Sequence, residues 1–90
     1  MRITDGFMLR EVAGQWVVVP LGDKVVDISG IVALSASAAL LWKRLEIGVG
    51  SYEELADVLT AEYNIDRETA LEDSKDFVEA LVSKGLIDRQ

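Results

Sequence analysis

Phe7-Met8-Leu9-Arg10-Glu11-Val12-Ala13-Gly14-Gln15-Trp16-Val17-Val18-Val19-Pro20-Leu21 is the stretch on which the fold turns. Two runs of aromatic and β-branched residues flank a short Gly-containing turn at Ala13-Gly14, and this pattern predicts a β-hairpin. Pro20 closes the second strand because it has no N–H to give to a ladder. Gly22-Asp23 then turns the chain into Lys24-Val25-Val26-Asp27-Ile28. After Ser29-Gly30 the apolar run resumes at Ile31-Val32-Ala33-Leu34. The spacing predicts a third strand, broken or bulged near Gly30.

From Ser35 the apolar period lengthens from two to about three and a half. Ala38, Leu41, Trp42 and Leu45 fall on one face of a helix that Ser35 or Ser37 caps and that ends near Gly48. Ser51-Tyr52-Glu53-Glu54 has the form of a capping box and opens a second helix, with Leu55, Val58 and Leu59 inward and its end near Tyr63-Asn64. Asp66 is the expected N-cap of a third helix, in which Ala70, Leu71, Ser74, Phe77, Val78 and Leu81 recur at steps of three and four. Lys84-Gly85 supplies a cation and a left-handed stop, and Leu86 and Ile87 return to the core. Strands followed by helices give an α+β class. The expected architecture is winged-helix-turn-helix-like, a three-stranded antiparallel sheet followed by three helices, in one domain spanning residues 1–90.

The 90 residues contain no Cys and no His, which removes disulfides, thiolate nucleophiles, the commonest zinc ligand and the neutral-pH proton shuttle. Gly48-Val49-Gly50 lacks the Lys-Ser/Thr of a phosphate loop and reads as turn glycines. No enzyme and no cofactor is expected. Glu68, Glu72, Asp76 and Glu79 recur at helical steps opposite Phe77, Val78 and Leu81, as the solvent side of the third helix does, and not as a metal cage. Trp42 is in register with the core face. Trp16 shares a face with Val18 and Pro20, and alternation leaves the identity of that face open. The start of the chain has neither the basic end nor the apolar run of a secretory signal, and no membrane span is present, so a cytoplasmic protein is expected.

The net charge of −7 is placed unevenly: residues 1–50 hold five Lys and Arg against five Asp and Glu, and residues 51–90 hold four against eleven. The helix in the recognition position, Asp66 to Lys84, has the cations Arg67, Lys75 and Lys84 against six acids, so its approach to a phosphate backbone is repulsive. A winged-helix DNA-binding regulator is therefore the weaker reading and no nucleic-acid partner is expected. A small domain without catalytic groups is more naturally a binding module. An uncovered sheet edge accepts an extended peptide by strand addition, or pairs with a second copy in a homodimer.

Several segments also carry a family resemblance. Phe7 to Gly14, Val17-Val18-Val19-Pro20, Ser29 to Ser35, Ala39-Leu40-Leu41-Trp42, Tyr52-Glu53-Glu54-Leu55 and Phe77 to Ile87 together resemble the PqqD family across essentially the whole chain. Where many relatives have Leu-Asn before the first helix, this chain has Leu34-Ser35, which keeps a cap. The resemblance implies a winged-helix-like recognition element in the biosynthesis of ribosomally made, modified peptides. Such an element binds the leader of a precursor peptide and presents it to a modifying enzyme, of the radical SAM type in the pyrroloquinoline quinone pathway. The family spans several pathways, so the resemblance implies leader binding and not a particular product.

In the family the leader adds as a strand beside the third strand and lies against the third helix. Carried onto this chain, the implied strand wall is Lys24, Val25, Val26, Asp27 and Ile28, continuing through Ile31 and Val32. The implied helix wall is Asp73, Asp76, Phe77, Ala80, Leu81 and Lys84. Strand backbone would hold the leader, apolar side chains would take its hydrophobic anchors, and the charged groups would select charge. Phe77 and Leu81 suit an ordinary core better than a groove, and Asp73, Asp76 and Lys84 are the better groove-rim residues.

Overall fold

The computed structural model of the chain describes residues 1–22 and 32–88. The chain order is β1 (Arg2–Ile3), β2 (Phe7–Val12), β3 (Gln15–Pro20), β4 (Val32–Leu34), α1 (Ala36–Ile47), α2 (Tyr52–Glu62), α3 (Arg67–Ser83) and β5 (Ile87–Asp88). The expected stretch of the third strand from Lys24 to Ile28, with Ile31, lies outside the described residues; Val32–Leu34 is strand, as the pattern predicts.

β2 and β3 pair antiparallel from Phe7 opposite Pro20 to Val12 opposite Gln15. This register leaves Ala13 and Gly14 as a two-residue turn with φ of 52° and 80°. Positive φ at both positions is what a type I′ hairpin requires, because its twist matches that of the strands. β4 adds antiparallel to β3, with Leu34 opposite Trp16 and Val32 opposite Val18. The sheet order is β2-β3-β4. Cross-strand neighbours Leu9, Val18 and Val32 face the core, and Val18 is fully buried.

A second ribbon, absent from the sequence reading, joins the ends of the described chain: Arg2 pairs with Asp88 and Ile3 with Ile87. Strands of two residues are too short for alternation to reveal them. Beside this ribbon, the Met1 ammonium donates to the Val49 carbonyl at 2.8 Å, and the Val49 N–H returns a 2.8 Å bond to the Met1 carbonyl.

Each helix begins and ends on a definable local bond. Ser35 Oγ accepts from the Ala38 N–H at 3.2 Å and caps α1, which stops at Gly48 with φ 106°. The Glu54 carboxylate accepts the Ser51 N–H at 3.3 Å at the start of α2. Asp66 Oδ1 accepts from the Thr69 N–H at 2.7 Å at the start of α3. At the other end of α3, the Leu86 N–H donates to the Leu81 carbonyl at 2.9 Å and the Gly85 N–H to that of Val82 at 3.0 Å. This is a Schellman closure, and Gly85 meets its left-handed requirement at φ 76°. It turns Leu86 directly into the core, where it is fully buried with Trp42, Leu45, Leu55 and Val78.

The Thr69 N–H at Asp66 holds that carboxyl below its ordinary value. A group whose folded pKa is depressed stabilises the fold above its unfolded pKa, and loses that contribution as pH falls through the folded value. Asp66→Ala is therefore expected to lower the melting temperature at neutral pH. The gap from the parent protein should close in strong acid, as followed by circular dichroism melts across the acidic range.

Candidate functional site

α2 packs against both α1 and α3, with Leu55, Ala56 and Leu59 all buried along its inner side. Between the first turns of α1 and the middle of α3 a cavity of about 430 Å³ remains, with Leu59 of α2 and Leu41 of α1 on its lining. That volume falls in the span of about 300–1,000 Å³ usual for ligand sites. Leu41 and Leu59 are each only 3% exposed and form the floor. Ala38, Ile65 and Phe77 add apolar wall, and Ser35, Ser37, Tyr63, Asp73 and Asp76 supply the polar groups of the lining.

The local folding explains this set. On α3, Asp73, Asp76 and Phe77 stand at i, i+3 and i+4, so one helical face carries two exposed carboxylates next to a half-buried aromatic ring. Ser35 caps α1 and therefore sits where β4 ends and the helix begins. Tyr63 and Ile65 come from the short extended link between α2 and α3. Ile65 packs against the core, and Tyr63 is 39% exposed. Neither Asp73 nor Asp76 is in a salt bridge among the described residues. Among those residues, too, β4 has a strand partner on one side only, and the open edge runs toward Ser35 at the cavity.

Of the residues the resemblance implied, Asp73, Asp76 and Phe77 come together on the cavity. Ala80 and Lys84 continue the same face of α3 in exposed positions beyond it; eleven residues separate Asp73 from Lys84, roughly 16 Å along the axis. Leu81, at 2% exposure, is part of the core. Val32 is half-buried and packs against the core from β4. Lys24, Val25, Val26, Asp27, Ile28 and Ile31 lie outside the described residues. Trp42 is fully buried, as its register predicts. Trp16 is half-buried, with the Lys43 ammonium 4.3 Å from its ring centroid. Glu68, Glu72, Asp76 and Glu79 are all exposed, but Asp76, expected opposite Phe77, stands beside it on the cavity because neighbouring residues of a helix lie only about 100° apart.

Sequence reasoning missed Ser35, Ser37, Ala38, Leu41, Leu59, Tyr63 and Ile65 as cavity residues. Helical periodicity assigned Ala38, Leu41 and Leu59 to the core, and it cannot reveal where two core-facing stripes fail to meet. Tyr63 and Ile65 did carry a signal, being an aromatic and a β-branched residue in an otherwise polar link.

A three-stranded antiparallel sheet followed by three helices, with a mostly apolar cavity beside β4, defines a small α+β fold. The chain belongs to the PqqD family: the family model for coenzyme PQQ synthesis protein D matches residues 15–87. Among solved structures, it is similar to TbiB1 in complex with the TbiA(beta) leader peptide. The two share 30% identity and a TM-score of 0.78, over 100% of this chain and 98% of the other. It is also similar to a lasso peptide synthetase B1 complexed with the leader peptide, at 25% identity and a TM-score of 0.73, over 94% and 93% of the two chains. No curated protein matches it.

The cavity makes a stability prediction of its own. Ala38 is half-buried on an open wall, so Ala38→Leu should change folding stability by less than about 0.5 kcal/mol. Leu41→Ala truncates a buried floor side chain and should cost about 2–5 kcal/mol. Urea denaturation of the two variants checks both figures.

Proposed function

We propose that this protein is a non-catalytic adaptor that binds the leader of a ribosomally made precursor peptide and presents it to a modifying enzyme in the cytoplasm. The observation that carries the reading is that β4, among the described residues, is paired on one side only next to the apolar cavity. An extended segment laid along β4 gains backbone hydrogen bonds from the strand, and the cavity offers a place for one of its side chains. Backbone pairing alone binds any extended chain, whereas a shaped apolar cavity discriminates between side chains.

The comparisons support the same reading. Both solved neighbours carry leader peptides, and one has the whole length of this chain as its counterpart. The implied site consists of the strand wall around Val32, the helix residues Asp73, Asp76 and Phe77, and the continuation of that face through Ala80 and Lys84. A radical SAM enzyme fits the family's namesake pathway, and a lasso-type maturation enzyme fits the synthetase neighbour. The DNA-binding reading is disfavoured by the exposed acids Glu68, Glu72, Asp76 and Glu79 on α3, which face solvent where a recognition helix would need cations.

The test is a calorimetric titration with a synthetic peptide spanning the leader of a precursor encoded beside this chain's gene. Saturable binding is expected, with at least a tenfold loss (about 1.4 kcal/mol) in Ala38→Leu, whose larger side chain occupies the cavity. No binding is expected to random duplex DNA at low salt. Absence of leader binding by a folded protein, or tight binding to duplex, would overturn the proposal.

A further inference from the structure

We infer that the cavity selects a leader segment in which an apolar side chain is flanked by Lys or Arg, with Asp73 and Asp76 as the specificity-determining residues. This inference rests on the leader-binding reading and adds the charge that the site requires. The floor and walls, Leu41, Leu59, Ile65 and Phe77, are hydrocarbon and fix an apolar occupant. Among the described residues of the lining, the only ionisable groups besides the Tyr63 phenol are the two carboxylates.

Both carboxylates are exposed, and neither is in a salt bridge among the described residues. Among the described residues, no cation therefore competes there for the charge of an incoming peptide. Lys75, adjacent in sequence to Asp76, is not on the cavity, and Lys84 lies roughly three turns of helix further on. Asp73 and Asp76 are one helical turn apart on the wall that carries Phe77. A peptide whose apolar side chain enters beside Phe77 thus brings its neighbouring residues to the two acids.

The field of the whole chain has the same sign. A net charge of −7, with eleven acids against four cations in residues 51–90, attracts a cationic segment from a distance and repels an acidic one. The carboxylates then favour register: a cation one or two positions from the anchor meets them, and a cation elsewhere does not. Exposed pairs of this kind are individually weak, so the pair of acids acts as a discriminator and the apolar anchor and strand pairing supply most of the affinity.

The experiment titrates the full chain with the synthetic leader peptide and with versions in which each Lys or Arg beside an apolar residue becomes Glu. The same peptides are titrated into Asp73→Asn, Asp76→Asn, the double variant, and Glu68→Gln as an exposed acid away from the cavity. Circular dichroism melts verify that the variants fold, as surface substitutions should. The double variant is expected to bind the natural leader about three- to tenfold more weakly at low salt, a difference that shrinks in about 0.5 M salt. Glu68→Gln should change affinity less than about twofold. The Lys/Arg→Glu peptide should lose affinity for the parent protein and regain part of it on the double variant. Equal binding of the natural leader to the parent and the double variant overturns the charge selection and leaves leader binding standing. A leader that binds without Lys or Arg near its apolar anchor does the same. No leader binding to the folded parent protein overturns both.

Discussion

The position of α2 between α1 and α3 is the constraint on which the site depends. α2 is short, and it buries Leu55, Ala56 and Leu59 while packing against both neighbours. Here Leu41 and Leu59 sit at the base of about 430 Å³ of open space, flanked by the half-buried Phe77. The space opens to solvent past the exposed Ser35, Tyr63, Asp73 and Asp76, so part of its apolar wall faces water. Apolar wall that faces water gains free energy when another apolar side chain covers it. The caps at Ser35 and Asp66 place the walls: one fixes where α1 starts beside β4, and the other sets the phase of α3 and so the direction of Asp73, Asp76 and Phe77.

The sheet complements this helical arrangement. Its hairpin is closed by a turn with two left-handed residues, which holds β2 and β3 in a single register. Through Val18 and Val32 that register fixes β4, and β4 leads straight into Ser35 at the cavity. One segment of chain thus links the edge that offers backbone hydrogen bonds to the space that offers apolar contact. Affinity from the first and discrimination from the second is a division of labour suited to an adaptor, which must hold one class of peptide without altering it.

Much of the fold was legible in the residues. Ser35, Asp66 and Lys84-Gly85 mark helix ends by local bonds, and the structure has those bonds. Trp42 announced its burial by standing in register with Leu41 and Leu45. The pairing of Ile3 with Ile87 was not legible, because two-residue strands carry no period and their partners are distant in sequence. At the site, the α3 face bearing Asp73, Asp76 and Phe77 followed from the family resemblance. The opposing wall of Ser37, Ala38, Tyr63 and Ile65 did not, because it depends on how far apart α2 holds the other two helices. Leu81, implied as groove wall by the same resemblance, is in the core, where its apolar spacing with Ala70, Ser74 and Val78 also puts it.

In the proposed complex a leader peptide pairs with β4 and sends an apolar side chain into the cavity between α1 and α3. Nuclear Overhauser contacts between an isotopically labelled protein and the bound, unlabelled leader peptide test it most directly. Backbone contacts are expected from the peptide to Val32, Ala33 and Leu34, and side-chain contacts from one apolar residue to Ala38, Ile65 and Phe77. Contacts confined instead to β2, or to the β1–β5 ribbon, with the signals of Ala38 and Phe77 unmoved at saturation, would contradict it.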